Sequence, residues 1–146
     1  MKTIEVRRLL RAPIERVFEV LSDHAGYTSL PGVTSAKVTQ PGTSEPNGVG
    51  AVREIALGGA WFREEITAFE RPNRLDYRII KSRPPVEHEL GSIRLKSLPE
   101  GTEVTWTSTF RIKLPVLGWL ATRLAARKMA RTFSDGLKAV EDRARS

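Results

Sequence analysis

VREIALGGAWFREEIT, residues 52–67, sets two alternating runs around a Gly58-Gly59 pair. Paired glycines between such runs favour a two-residue hairpin turn, because both central positions need positive φ. Leu57 then faces Ala60, Arg53 faces Glu64 and Glu54 faces Arg63. Both charged rows join opposite signs, an arrangement that contributes about 0.2–1 kcal/mol per pair. The rows are either the solvated side of a sheet or polar groups turned into a pocket.

The same pattern extends in both directions. VGAVREIAL, AWFREEITAFE, RLDYRII, VEHELGSIRLKSL and TEVTWTSTFRIKL alternate as strands between residues 49 and 114, and Gly58-Gly59, RPN, KSRPP and PEG break them. Connections this short force antiparallel neighbours, hence a meander. Upstream, TIEVRRLLRA reads as an opening strand and PIERVFEVLSD as a helix begun by Pro13, with Ile14, Val17, Phe18 and Leu21 on one face. HAGYTSLPGV is a short helical turn or loop, TSAKVTQ an edge strand, and PGTSEPNGVG turn chemistry throughout. Downstream, residues 115–144 form a helix begun by Pro115, with Leu117, Leu120, Leu124, Phe133, Leu137 and Val140 as its expected apolar face.

This order predicts a single α+β domain over residues 1–146. A curved antiparallel sheet of about seven strands wraps a long C-terminal helix, with two short helices after the first strand. A sheet gripping a helix leaves internal space suited to small apolar ligands.

Composition narrows the chemistry. The chain has no cysteine, which removes thiol nucleophiles, thiolate metal sites and disulfides. Its only histidines, His24 and His88, are too few for a three-histidine zinc site, and no metal or cofactor is expected. The GxG in GVGA precedes a strand, not a helix, and so is no dinucleotide fingerprint. The N-terminus lacks the apolar core of a signal peptide, and no apolar run is long enough to span a bilayer, so a soluble, cytoplasmic protein is expected; a monomer is expected as well.

The net charge of +7 favours anionic partners. Residues 115–146 hold seven basic residues against three acidic ones, and Arg123, Arg127 and Arg131 recur every four residues. That stripe is a solvated helix face or a contact for an anionic membrane or acidic protein. Nucleic acid is not expected, since no recognition motif or interleaved exposed aromatics accompany the cations.

RAPIERVFEVLSDHAGYTSLPGV, GVGAVREI, EEITAFERPNRLDYRI and EGTEVTWTSTF, with the terminal helix, together resemble the START-like helix-grip superfamily (SRPBCC, Bet v 1/START-like), close to its polyketide cyclase/dehydrase branch. The resemblance covers essentially the whole chain. It implies the fold, and a cavity whose use varies among lipid carriers, aromatase/cyclases and co-chaperones. Members of the branch often carry a Y-x-x-W-x-P pattern after the first helix. Here the stretch is YTSLPG, with Leu30 in the tryptophan's place, so Tyr27, Leu30 and Pro31 are expected at a less bulky pocket mouth.

By the same resemblance, Arg53 in AVRE matches a cavity-strand arginine that contacts carbonyl or enolate oxygens in aromatase/cyclases. A guanidinium in a dry cavity stabilises an oxyanion strongly. The alternative is a structural ion pair. Glu65 is its expected partner or a pocket acid, and His88 is the best general acid/base candidate or else a surface histidine. Trp61, Tyr77, Trp106 and Phe110 are expected to form an aromatic wall, and Trp119 a gate or packing anchor. Three functions follow: binding or transport of a hydrophobic small molecule or lipid; a cyclase- or dehydratase-like enzyme using Arg53 and His88; and a co-chaperone- or ribosome-associated-type module using the basic helix.

Overall fold

The structure is a computed structural model describing residues 1–146. The chain runs β1 (Lys2–Leu10), α1 (Ile14–Ser22), a 3-10 helix (His24–Ser29), β2 (Val33–Gln40), β3 (Val52–Leu57), β4 (Ala60–Glu70), β5 (Arg74–Arg83), β6 (Val86–Leu98), β7 (Gly101–Ile112) and α2 (Gly118–Arg145). The strands form one antiparallel sheet in the order β1-β7-β6-β5-β4-β3-β2. β2 is an edge strand, as its polar pattern predicts.

The central hairpin keeps the register read from the sequence. Leu57 pairs with Ala60, Glu54 with Arg63 and Arg53 with Glu64. Gly58 and Gly59 have φ of 55° and 83°, the left-handed pair that this turn requires and that side chains resist.

The main core lies at the end of the sheet covered by α1. Val17, Phe18 and Leu21 meet Leu137 and Val140 of α2 over Leu75, Ile93 and Val104. Fully burying each such side chain contributes about 1.5–3 kcal/mol. A smaller cluster, with Ile4, Phe110 and Ile112 against Ala126 and Phe133, lies under the first half of α2. Arg143 joins the far end of α2 to the 3-10 helix, donating to Asp23 at 2.6 Å and to the Gly26 carbonyl at 3.1 Å.

The expected apolar face of α2 needs correction. Phe133, Leu137 and Val140 are buried, but Leu117, Leu120 and Leu124 are exposed. Leu124 and Phe133 are nine residues apart, about two and a half helical turns, and so lie on opposite sides. The inward positions of the first half are Gly118, Thr122 and Ala126, small residues continuous in phase with Phe133. Pro115 also precedes the helix, which starts at Gly118.

Thr122 fixes that start. Its hydroxyl donates to the Gly118 carbonyl at 2.7 Å and accepts the Ile112 N–H at 2.9 Å, tying the end of β7 to α2 in a buried position. Thr122→Val keeps the shape and strands the Ile112 N–H. Urea denaturation of this variant should show a loss of about 1–3 kcal/mol with an unchanged m-value.

Candidate functional site

Alternation sends one residue in two toward the concave face. Arg53, Ile55 and Leu57 of β3 point inward, with Phe62 and Glu64 of β4, Tyr77 and Ile79 of β5, and Trp106 and Ser108 of β7. They enclose two adjoining chambers beneath α2. The outer one, of about 490 Å³, has an apolar wall of Leu57, Phe62, Val86, Phe110 and Met129, with Lys128 and Asp135 also on its lining. The inner one, of about 90 Å³, is bounded by Tyr27, Leu30, Arg53, Glu64, Tyr77, Trp106 and Phe133. Pro31, Ile79, Ser108 and Thr132, with Leu57, Phe62 and Met129 of that apolar wall, line both.

Arg53, 2 % exposed, closes the inner end. Its Nε donates to Glu64 Oε1 at 2.9 Å, and its Nη2 lies 2.8 Å from the same oxygen. Its Nη1 donates to His24 Nδ1 at 3.0 Å and to the Tyr27 hydroxyl at 3.2 Å. Tyr27 in turn donates to the Leu21 carbonyl at 2.5 Å. The guanidinium carbon sits 5.0 Å from the Tyr27 ring centroid and 5.1 Å from that of Tyr77. The arginine is thus held between two aromatic rings by three polar partners.

That arrangement fixes His24. Its Nε2 is 2.9 Å from the Asn47 carbonyl, which can only accept, so Nε2 carries the proton and Nδ1 is free to accept from Arg53. Burial, then the neighbouring Arg53 charge, lowers its pKa to about 3. His24 is neutral at physiological pH.

The same logic fixes His88. Its Nδ1 accepts the Ile79 N–H at 3.0 Å, so the proton lies on Nε2, 3.4 Å from Ser108 Oγ. A register shift between His88 and Leu90 places the ring where β6 leaves its pairing with β5, and there the ring replaces a strand partner. Burial lowers its pKa to about 4. Tyr77 stacks on the ring at 5.6 Å, and its hydroxyl accepts from Trp106 Nε1 at 2.9 Å. Its own O–H then remains the donor offered to the chamber. Gly91 makes the stack possible: a Cβ there would stand 2.5 Å from the Tyr77 ring. Trp106 is braced from α2 by Phe133, stacked at 4.0 Å.

Of the residues expected at the site, Leu30, Arg53, Tyr77, His88, Trp106 and Phe110 line the chambers, as does Tyr27, at the deep end and not at the mouth. Three expectations fail. Glu65 lies on the outer face 3.7 Å from Arg78, because Glu64, directly opposite Arg53, shares the inward row and its neighbour cannot. Trp61 is outward for the same reason and carries the Arg63 guanidinium at 5.2 Å, while Phe62 takes the cavity wall. Trp119 is neither gate nor anchor but 63 % exposed, on the outer side of α2. His24 and Glu64 complete the site. The hairpin register already pointed to Glu64, whereas no local pattern marks His24.

The residue pattern has solved counterparts. The Zhui aromatase/cyclase from Streptomyces sp. R1128 is 20% identical over 99% of this chain and 93% of that one, with a TM-score of 0.83. A protein from Thermus thermophilus is 22% identical over 98% and 97% of the two chains, at 0.77. A START superfamily protein from Mycobacterium smegmatis is 14% identical over 98% and 97%, at 0.76. These likenesses establish the helix-grip fold. Among curated proteins, none matches the sequence. The family model described as "Polyketide cyclase / dehydrase and lipid transport" matches residues 1–145. The chain belongs to that family.

Proposed function

We propose that this protein binds a neutral, largely apolar small molecule of lipid or polyketide type, with an oxygen acceptor lodged at the inner end of the cavity. The carrying observation is the polarity of the two chambers. The outer one offers mostly apolar wall, with the His88 Nε2–H turned to Ser108, and the inner one offers donors: the Tyr77 O–H and the one Arg53 N–H not engaged by Glu64, His24 or Tyr27. Apolar burial supplies affinity, and a few placed donors supply orientation. Glu64 cancels the charge of Arg53, so an anionic head gains less there than a carbonyl or hydroxyl oxygen.

The cyclase-like alternative finds weaker support in this geometry. A general base needs a free lone pair at a suitable pKa. His88 has given its only lone pair to a backbone N–H, and His24 has given its own to Arg53. Arg53 can still polarise a ligand oxygen through its remaining N–H. That role requires no proton transfer by the protein.

Organic extraction of natively purified protein, followed by mass spectrometry against a mock purification, should yield a stoichiometric apolar compound. Titration with an apolar fluorescent probe should show saturable binding. Ala125→Phe, which projects into the outer chamber from α2, should weaken that binding about tenfold or more with the melting curve preserved. Unchanged affinity would remove this cavity as the site.

The histidines set a pH dependence. Both have folded-state values below their ordinary value of 6.5, so the unfolded chain binds protons that the folded chain refuses. Their contribution to stability is therefore complete above about pH 6.5 and is lost as pH falls, for His88 down to about 4 and for His24 down to about 3. Urea midpoints should be flat from pH 8 to about pH 7 and then decline, by several kcal/mol in total as an order of magnitude. Probe binding should follow the folded fraction, with no separate titration near neutrality.

A further inference from the structure

Six of the eleven exposed large hydrophobic residues lie within residues 114–124: Leu114, Val116, Leu117, Trp119, Leu120 and Leu124. Scattered exposed leucines need no explanation, but a contiguous group with a tryptophan marks a contact surface. Val116 is 80 % exposed and Leu124 60 %. The smaller residues of the same segment, Gly118, Thr122 and Ala126, take the inward side, so the large ones face solvent by the phase of the helix.

The chemistry around this patch is one-sided. Residues 113–134 contain Lys113, Arg123, Arg127, Lys128 and Arg131 and no carboxylate. None of the five enters an ion pair. Lys2, Arg111, Lys113 and Arg123 border a surface cleft of about 670 Å³ whose wall includes Val116 and Trp119. Arg111 is held by Glu87, whereas no acidic residue lines the cleft itself. Ile112 lines both this cleft and the outer chamber of the ligand cavity.

We propose that the start of α2 docks on an anionic lipid bilayer. Trp119, Leu120 and Leu124 enter the boundary between headgroups and acyl chains, and Lys113, Arg123 and Arg127 contact lipid phosphates. Apolar side chains of this size flanked by unpaired cations are what an interfacial helix uses. The free cations supply the attraction to an anionic leaflet. Docked in this way, the protein has its cavity wall at Ile112 beside the bilayer, a short path for a hydrophobic ligand. The purpose of docking rests on the ligand-binding reading above, but the surface itself does not.

Flotation with phosphatidylcholine vesicles, and with vesicles containing about 30 % phosphatidylglycerol, tests it. The wild-type chain should float with the anionic vesicles, stay behind with the neutral ones, and release in about 0.5 M salt. Trp119→Ser with Leu124→Ser should lower the bound fraction about tenfold, and Arg123→Glu with Arg127→Glu should abolish binding. All four substitutions are at exposed positions, and a thermal melt checks each fold. Failure of the wild-type chain to float with anionic vesicles overturns the proposal. So does binding that survives Trp119→Ser with Leu124→Ser, which is surface charge adsorption alone. Sedimentation equilibrium that shows a dimer dissolved by Leu124→Ser, without vesicle binding, assigns the face to a second copy of the chain instead. The apolar probe, added to the same samples, reads the cavity separately: its loss in the wild-type chain counts against ligand binding, and flotation still decides the docking surface.

Discussion

The buried Arg53–Glu64 pair is the constraint around which the concave face is organised. Removing a guanidinium and a carboxylate from water is costly, and attraction between them offsets that cost only when geometry is good and the remaining polar atoms find partners. Here the two residues are opposite each other in the hairpin register, so the turn at Gly58-Gly59 sets their separation locally. The remaining guanidinium N–H groups then demand acceptors on the opposite side. Tyr27 and His24 provide them from the 3-10 helix, which Arg143 anchors to α2. A charge on the sheet therefore fixes the position of a helical turn and, through it, the end of the long helix.

This requirement also limits the chemistry of the cavity. Each histidine near Arg53 and Tyr77 has its tautomer dictated by a backbone group, Asn47 C=O in one case and Ile79 N–H in the other. Backbone groups do not titrate, and burial opposes the imidazolium. Burial likewise pushes the Tyr27 and Tyr77 hydroxyls up from their ordinary value. The inner chamber is thus a set of neutral donors around an internally compensated ion pair. On the proposed reading, such a site would orient a ligand oxygen through donors and leave proton transfer aside.

The architecture is legible in the sequence because it rests on local signals: period-two runs, turn residues between them, and a proline-led amphipathic stretch before and after. The hairpin register is equally legible, since two glycines specify one turn. Side-chain orientation along β4 follows from that register, yet the acidic run Glu64-Glu65 offers two carboxylates of the same type, and only the pairing with Arg53 selects Glu64. His24 is not legible at all. Nothing within several residues of it distinguishes a buried acceptor from a surface side chain, because its partners Arg53 and Asn47 arrive from distant segments. The inner face of α2 is hidden for a related reason. Leucines draw the eye, and the phase that matters is carried by Gly118, Thr122 and Ala126.

That phase links the two surfaces of the helix. Had Leu120 and Leu124 faced the sheet, their bulk would occupy the space beside Ile112 and Phe110, and the outer chamber would become a filled core. Turning small residues inward keeps the helix close at Thr122 while leaving room beneath Ala125 and Met129. The necessary consequence is that the leucines and Trp119 go outward, into water, at a cost in solubility. Five unpaired cations on the same stretch offset part of that cost by keeping the face hydrated. An open cavity and an exposed apolar, basic face are therefore two results of one helical phase. The gap between sheet and helix is maintained by the same residues that place the exposed surface next to it.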